Sequence, residues 1–189
     1  LNRIEWLADN TDLLIGTSGA ELAAKSGKSG NEPIGGDVVP RVDKSTTHGS
    51  GPIQSINISN HVLFVDRSLL KLFDQVFDFY VNTYSTTELT APSDHITNPA
   101  VRLGPIALQK RVDPRLYFVR KDGTLVTLTY LLSEKVVGFT RFVTQGTFEA
   151  VACIPKSSGK SDQVWVIVQR MINGALKRYV EMFEDTNDN

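Results

Sequence analysis

The 189-residue sequence is poor in several features that mark whole classes of protein. It has a single cysteine, so an internal disulfide is impossible, which favours a cytosolic or intravirion setting over a secreted one. No run approaches the roughly 18–20 apolar residues that a membrane-spanning helix needs. Lysine plus arginine number 20 against 21 acidic residues, and this net charge of -1 argues against a dedicated nucleic-acid-binding protein.

The two ends of the sequence differ from its interior. The opening residues, Leu1 to Trp6, contain neither an initiator methionine nor the apolar core of a signal peptide, which predicts a domain excised from a longer chain. The last residues, 183–189, are mostly polar and are predicted to form a disordered tail.

Short apolar stretches recur along the chain with a period near fifty residues. They begin at Leu13, Val62, Leu116 and Val164, and are therefore 49, 54 and 48 residues apart. Each follows a polar turn and precedes a second strand-like stretch, a pattern typical of β-propeller blades. We therefore predict an all-β fold of about four antiparallel, propeller-like blades, forming a partial or whole propeller over residues 1–182.

The predicted blades cover residues 2–45, 53–91, 104–143 and 147–182, and the loops 24–52 and 91–103 are predicted to contact neighbouring proteins. The uncharged, strongly β-forming stretch Val164–Val168 is predicted to be an inner strand, because an open edge of this kind would invite aggregation. If the blades form an open arc, the end blades must pair with other sequence or with partner chains.

The second blade contains an ambiguous segment. Phe77, Phe79, Val81 and Tyr84 are separated by polar or less apolar positions, and this alternation predicts a half-buried strand. The spacing of apolar residues over Ser68–Phe79 is also close to a helical period, so a helix remains the alternative there.

Two short motifs resemble the end of a phosphate-binding loop, namely Gly27-Lys28-Ser29 and Gly159-Lys160-Ser161. The motif needs a glycine five positions earlier, where Leu22 and Ile154 stand instead. Neither segment is predicted to follow a strand and open a helix, so both are interpreted as turns.

Nucleophilic and metal-binding chemistry has little support in the sequence. Cys153 lies in an apolar strand, which predicts a buried, neutral thiol. The histidines His48, His61 and His95 lack the close spacing of a metal site. No catalytic, cofactor-binding or metal-binding residue is therefore predicted.

Three larger groups of side chains have both a functional and a structural interpretation. Five acidic residues are available for glycoside hydrolysis, but the three aspartates stand where hairpin turns favour aspartate. The basic residues of the third blade are interpreted as charged hairpin ends, with a surface that faces DNA or an acidic neighbour as the alternative. The aromatic residues are interpreted as packing between blades. The acidic set is Asp113, Asp122, Glu134, Asp162 and Glu181; the basic set is Lys110, Arg111, Arg115, Arg120 and Lys121; the aromatic set is Phe73, Phe77, Phe79, Tyr117, Phe139 and Trp165.

A series of short segments, in order and with their spacing, resembles a family of tail proteins of double-stranded-DNA bacteriophages. The family includes tail-hub and nozzle (tail tubular) proteins, some described as stabilising packaged DNA. The likeness covers about residues 10–182 and departs at Phe139, where a tryptophan is expected. Among the segments that carry it are Val62–Arg67, Asp122–Leu125, Gly138–Arg141, Gly146–Ala152 and Asn173–Glu181.

The resemblance implies a structural component of a phage tail or head–tail junction, which helps form the conduit or seal for packaged DNA. It implies no enzymatic activity and no cofactor. The expected partners are other subunits of the same protein in a ring, other tail or connector proteins, and packaged DNA that passes without sequence-specific binding; no membrane partner is expected. The expected location is the virion, with the host cytoplasm during assembly.

Two alternatives from other functional classes remain. One is a propeller that binds carbohydrate or a host surface, with weak or lost glycosidase activity. The other is a general protein-interaction propeller in a cellular complex.

Overall fold

The computed structural model describes residues 2–27, 34–35, 39–97, 102–111 and 113–184. Over these residues the protein is all-β, with fifteen strands in four antiparallel sheets and no closed barrel. The chain divides into two compact units, Leu1–Pro92 and Ser93–Asn189. Two sheets lie in each unit.

In the first unit, each sheet is built from four strands that are neighbours in the chain. The first sheet contains β1 (Ile4–Asp9), β2 (Leu13–Thr17), β3 (Glu21–Lys25) and β4 (Arg41–Thr46). The second sheet contains β5 (Ile56–Ile58), β6 (His61–Val65), β7 (Leu72–Asp78) and β8 (Thr83–Glu88).

The 3₁₀ turns over Ala91–Ile96, which are interrupted at Ser93, lie at the boundary between the two units. The first sheet of the second unit, the third of the chain, contains β9 (Leu103–Gln109), β10 (Arg115–Arg120), β11 (Leu125–Leu131) and β12 (Val136–Phe142). The fourth sheet has three strands, β13 (Thr147–Pro155), β14 (Asp162–Ile172) and β15 (Ala175–Met182). Within the described ranges, no helix has the length and apolar character needed to span a membrane.

Several connections are tight hairpins whose residues favour the required backbone. Asn173 and Gly174 join β14 to β15 with φ of 51° and 76°, as the two central residues of a type I′ turn need. Gly123 has φ of 79° between β10 and β11, where the Asp122 carboxylate accepts a hydrogen bond of 3.0 Å from the Thr124 N–H. These turns place consecutive strands side by side.

The core of the first unit lies between its two sheets. One face of the first sheet packs against one face of the second, and Trp6 and Phe64 have ring centroids 5.5 Å apart. The buried members of this cluster are Trp6, Ala8, Leu14, Ala23, Val62, Phe64, Phe73 and Tyr84.

The core of the second unit has the same construction. The inward residues of the third sheet meet those of the fourth, and Phe183 extends the cluster beyond the end of β15. The Phe183 N–H donates a hydrogen bond of 2.9 Å to the Val164 carbonyl, so the pairing of β15 with β14 continues one residue past Met182. The buried members are Tyr117, Val119, Leu125, Phe148, Val164, Val166 and Val168.

A buried polar network also connects the two sheets of the first unit. Glu21 is fully buried, and its carboxyl group accepts hydrogen bonds from the Ser50 hydroxyl at 2.8 Å and from the Thr46 hydroxyl. The Ser45 hydroxyl donates to the Glu21 carbonyl at 2.9 Å and accepts from the Gln75 amide of β7 at 3.0 Å. Buried polar groups are costly unless they are paired, and these hydrogen bonds pair the Glu21 carboxyl group and link the first sheet to Gln75 of the second.

The four predicted blades correspond to the four sheets, which confirms the all-β, blade-like prediction. Val164–Val168 is confirmed as part of an inner strand, because β14 pairs with both β13 and β15.

Two local predictions were wrong. The half-buried strand predicted from Phe77 to Tyr84 is broken by a turn over residues 79–82, where Asn82 has φ of 51°. The predicted loop 24–52 contains β4 and the end of β3. Over Ser68–Phe79 the structure has the strand β7 and not the alternative helix.

Candidate interaction surface

The fourth sheet separates its side chains onto two faces with different surroundings. On the inner face, Val164, Val166 and Val168 of β14 pack into the core of the second unit. The alternate residues of β14, Trp165 and Ile167 among them, project from the opposite side, because successive strand side chains point in opposite directions.

This opposite side, the outer face of the fourth sheet, is mostly apolar and exposed. Cross-strand pairing aligns Trp165 with Met182 and Ile167 with Val180, which places their side chains on one surface. Val180 is 69% exposed, a high value for a valine in the middle of a strand. The apolar members are Ala150, Ala152, Ile154, Trp165, Ile167, Met171, Leu176, Val180 and Met182.

An ion pair crosses this face from β15 to β13, between the rows that contain Val180 and Leu176. Arg178 makes two hydrogen bonds to the Glu149 carboxylate, at 2.7 and 3.1 Å. The interaction holds the pKa of Arg178 above its ordinary value, chiefly through the hydrogen bonds to Glu149. Because the two charges cancel, the outer face has no strong charge of either sign, and apolar contact dominates what it offers to a partner.

The first sheet also has a partly exposed apolar side, which we call its outer face. Pairing places Leu7, Ile15 and Leu22 in one row across β1, β2 and β3. Leu13 and Val42 lie on either side of Ala24 in a second row. Leu7, Leu13 and Val42 are exposed, whereas the inward neighbours Trp6 and Leu14 are buried.

A third exposed apolar feature is the turn between β7 and β8. Phe79, Tyr80 and Val81 are all largely exposed, and Tyr80 is completely so. The turn is nevertheless well ordered by contacts, because the Asp78 carboxylate accepts a hydrogen bond of 2.8 Å from the Tyr80 N–H. Phe79 also packs edge-on against Phe77, with ring centroids 5.0 Å apart.

The acidic candidates for hydrolysis are engaged in separate structural contacts. The Asp162 carboxylate accepts hydrogen bonds from the backbone N–H groups of Lys110 and Arg111, at 2.6 and 3.0 Å. Glu181 forms a two-fold ion pair with Arg170, at 2.9 and 2.8 Å, and this hydrogen bonding lowers the pKa of Glu181.

The two remaining aspartates follow the same pattern. Burial acts to raise the pKa of Asp122, but the Thr124 N–H and the Arg120 guanidinium outweigh it and hold the pKa below its ordinary value. Asp113 lies 3.9 Å from Arg115, and Glu134 is exposed in the turn after β11. Each aspartate therefore serves a hairpin end, as its position in a turn predicts.

The basic candidates lie at the two ends of one strand. Lys110, Arg111 and Arg115 lie at the start of β10, whereas Arg120 and Lys121 lie at its finish. Arg111 donates to the Gly159 carbonyl at 2.7 Å, and the buried Arg120 donates to Asp122 at 2.7 Å. The five basic residues, which are close in the sequence, are therefore divided between hairpins at opposite ends of the strand.

The contacts of the thiol and histidine candidates are also those of residues that maintain the fold. Burial raises the pKa of the Cys153 thiol to about 12, with a further contribution from the Asp162 carboxylate. His61 contacts both oxygens of the Asp74 carboxylate, at 2.9 and 2.8 Å. His48 stacks on Phe73 with ring centroids 4.0 Å apart.

His95 lies in the 3₁₀ turns before β9. Across the described residues, no group of three histidine, cysteine, aspartate or glutamate side chains is placed to hold a metal ion.

Of the two phosphate-loop-like motifs, one can be followed. Gly159-Lys160-Ser161 lies in the turn between β13 and β14, where Gly159 has φ of 68° and a strand follows. This confirms its interpretation as a turn. In the other motif, Lys28 and Ser29 lie outside the described residues.

The aromatic residues do not share one role, contrary to the sequence interpretation. Phe73, Phe77 and Tyr117 pack between sheets as predicted. Phe79 is exposed in a turn, and Trp165 lies on the outer face of the fourth sheet. Phe139 is half-buried opposite Leu128.

The sequence analysis missed the two outer faces. A signal was present in the fourth blade, where every residue of Val164–Val168 and of Ala150–Ile154 is apolar. A strand with one solvated face alternates apolar and polar residues, whereas continuous apolar runs are typical of strands covered on both faces. The uninterrupted runs are the sequence signal for two apolar faces, one of which packs in the core of the second unit.

No protein-family model matches the sequence, and no curated protein matches it.

Proposed function

We propose that this protein is a structural component of a bacteriophage tail or head–tail junction, where it helps form the conduit or seal for packaged DNA. The observation that carries the proposal is the pair of apolar outer faces on the first and fourth sheets. Monomeric proteins rarely expose large contiguous apolar patches, so such faces favour a part that is covered by neighbours in an assembly. The resemblance to phage tail proteins supplies the kind of assembly.

The charge distribution supports a passive relation to DNA. The net charge is -1, and Arg120 and Arg178 are both paired with acidic side chains. Tight DNA binding draws its affinity from unpaired lysine and arginine side chains that replace counterions on phosphates. A wall of nearly neutral charge lets DNA slide past, which is what a conduit requires.

The roles of the acidic and thiol groups also favour a structural protein. Asp162 and Glu181 hold backbone and guanidinium groups of their own unit, and the neutral thiol of Cys153 is a poor nucleophile. Each of these groups has a role in maintaining the fold that needs no substrate.

Immunogold electron microscopy of purified phage particles tests this function. Antibodies against the 189-residue chain are expected to label the tail or the head–tail junction, and antibody absorbed with the purified chain serves as the control. Intact particles whose tails and junctions stay unlabelled, while the antigen is found in infected-cell lysate alone, would contradict the proposal.

A second candidate function, a protein-interaction module in a cellular complex, is favoured by the exposed turn at Phe79, Tyr80 and Val81. Ordered, exposed aromatic side chains are common anchors in protein interfaces. Antigen in a defined complex of uninfected cells, and its absence from particles, would select this second function.

A further inference from the structure

The fourth sheet ends in an open strand edge. Among the described residues, each of the other three sheets has four strands, whereas the fourth has three, and β15 is its last. β15 pairs with β14 over eight residues without a shift in register, and it contains no proline. The edge strands β1, β4 and β13, in contrast, all pair with register shifts. Proteins normally protect an edge by such irregularities, because an open, regular edge pairs readily with another extended chain.

The hydrogen bonds between β14 and β15 show which backbone groups of β15 are open. The two-residue turn before β15 is flanked by Ile172 and Ala175, which therefore form a hydrogen-bonded pair. At the other end, the Phe183 N–H donates to the Val164 carbonyl at 2.9 Å. Because bonded and non-bonded residues alternate along an antiparallel strand, the odd-numbered residues of β15 bond β14. The even-numbered residues point their N–H and C=O groups to the open edge; they are Leu176, Arg178, Val180 and Met182.

We propose that this open edge binds an extended segment of a partner protein, which adds to the fourth sheet as a fourth, antiparallel strand. A row of alternating N–H and C=O groups is matched by the backbone of another extended chain. It is not matched by a helix, whose backbone groups bond one another, or by a phosphate backbone, whose charged oxygens only accept. All strand pairs within the described sheets are antiparallel, which sets the direction. The inference deepens the function proposed above, and it rests on that function for the identity of the partner, another tail or connector protein, though not for the binding itself.

The side chains of β15 define the chemistry of the segment. On the outer face, Val180 and Met182 are 69% and 46% exposed, and apolar, β-branched residues are the best match opposite them. Lys177 makes no ion pair among the described residues, whereas Arg178 and Glu181 are each neutralised by one. Opposite charges across a strand pair are stabilising, so an acidic residue is expected opposite Lys177. The segment should therefore alternate apolar residues with others and carry a carboxylate three positions after the residue opposite Val180.

The first sheet shows what a fourth strand does in this chain. Its fourth strand, β4, pairs with β3, and the Ser45 hydroxyl of β4 accepts a hydrogen bond of 3.0 Å from the Gln75 amide of the second sheet. The Thr46 hydroxyl, also in β4, bonds the buried Glu21 carboxyl group. A fourth strand is thus an integral part of its sheet, which favours a strand as the occupant of the corresponding position beside β15.

Hydrogen–deuterium exchange followed by NMR tests the binding at single residues. The probe is a synthetic peptide, acetyl-Val-Thr-Val-Thr-Ser-Glu-Val-amide, which has the predicted alternation and places its glutamate opposite Lys177. With about 1 mM peptide, the amides of the even-numbered residues of β15 are expected to exchange at least about tenfold more slowly than in the free chain. The odd-numbered amides, which are already bonded to β14, serve as the internal reference.

Two variants at one position separate backbone pairing from side-chain contact. Val180→Pro removes one edge N–H and leaves the bonds of the odd-numbered residues to β14, since proline is tolerated where a strand N–H faces solvent. The peptide should then bind about tenfold more weakly or worse. Val180→Thr is the matched control, because it keeps the N–H and a β-branched side chain, and its affinity should stay within about threefold. Circular dichroism verifies folding, and a peptide with N-methylated backbone makes the same test on the unchanged chain.

Three outcomes overturn the proposal. One is unchanged exchange of the edge amides at the highest peptide concentration. Another is an equal loss of affinity in V180P and V180T, because the outer-face side chains, and not the edge, would then hold the peptide. The third is protection of the edge amides without peptide, in a chain whose dimers in sedimentation velocity are dissociated by Val180→Pro, which would assign the edge to a second copy.

These outcomes are separable from the phage function. A chain whose edge amides are protected by the peptide, while particles remain unlabelled, keeps the strand-binding edge and loses the tail role. Labelled tails together with edge amides that the peptide does not protect keep the tail role and reject the strand-binding edge.

Discussion

The Trp6 indole lies directly over the α-carbon of Gly16, its partner on the neighbouring strand. A β-carbon at Gly16 would lie 2.0 Å from Trp6 Cε2, far inside contact distance. The ring reaches across the strand to Phe64, so it is held between the two sheets of the first unit. Glycine at this position therefore allows the largest side chain of the core to lie flat against its own sheet.

Gly16→Ala is expected to lower the free energy of unfolding of the first unit by about 1–3 kcal/mol, because an overpacked core must shift Trp6 or the strand. The measurement is urea denaturation followed by tryptophan fluorescence. The chain has two tryptophans, Trp6 in the first unit and Trp165 in the second, so a Trp165→Phe background makes the signal specific to the first unit.

Gly138→Ala is the matched control for this change. A β-carbon at Gly138, in β12, meets no atom within 4 Å, so its stability should change by less than about 0.5 kcal/mol. The control is read on Trp165 in a Trp6→Phe background, since Gly138 lies in the second unit. Equal effects of the two alanines would contradict the role given to Gly16.

Glu21→Gln is expected to destabilise the first unit by about 1–3 kcal/mol. Both oxygens of the buried carboxyl group accept from hydroxyls, those of Ser50 and Thr46, whereas an amide replaces one acceptor by a donor. The same denaturation assay measures the effect. The control is Glu134→Gln in an exposed turn of the second unit, read on Trp165 in the Trp6→Phe background. Indistinguishable curves for Glu21→Gln and the parent would show that the network contributes little.

The sequence predicted the strands and their order well, because those depend on local signals. The Asn173-Gly174 pair has the residues that a two-residue hairpin favours, and Val164–Val168 has the composition of a covered strand. Lys121–Thr124 is a further local signal, and its turn lies where the sequence placed it.

Features that depend on distant partners could not be predicted. The alternation from Phe77 continues through Phe79 and Val81 although the strand ends at Asp78, since a pattern of side chains does not fix where a hairpin turns. A glutamate in a strand, such as Glu21, is ordinarily exposed to solvent. Only its hydrogen-bond partners from other parts of the chain, Ser50 among them, make it a core residue.

The aromatic residues of β7 and its following turn are expected to differ sharply in their contribution to stability. Phe73 is buried, with ring centroids 5.6 Å from Phe64 and 4.0 Å from His48, so Phe73→Ala should destabilise the first unit by about 3–5 kcal/mol. Tyr80 is fully exposed, and Tyr80→Ala should change stability by less than about 0.5 kcal/mol. Denaturation in the Trp165→Phe background compares them, and a large loss in Tyr80→Ala would mean that the turn is part of the core.

Cys153 is expected to be almost inert in the folded protein. Only the thiolate reacts with alkylating reagents, and burial of the side chain, assisted by the Asp162 carboxylate, raises the pKa of the thiol from 9.0 to about 12. At pH 8 the thiolate fraction is then smaller by roughly a thousandfold. Alkylation by iodoacetamide, followed by mass spectrometry, should be slower than in urea by a similar factor.

The pH dependence of this reaction separates a raised pKa from simple blockage of the thiol. The native rate should continue to climb above pH 9, where that of the unfolded chain levels off. The raised pKa also makes the free energy of unfolding depend on pH. Because the folded state favours the neutral thiol, the stabilising contribution of Cys153 is present below pH 9 and is lost as the pH rises towards 12.

A cysteine placed at Val143, in a chain with Cys153→Ala, provides the control, because this exposed position should react at the rate of a free thiol. A native Cys153 that reacts within about tenfold of this control at pH 8 would contradict the raised pKa and would make a nucleophilic role chemically reasonable again.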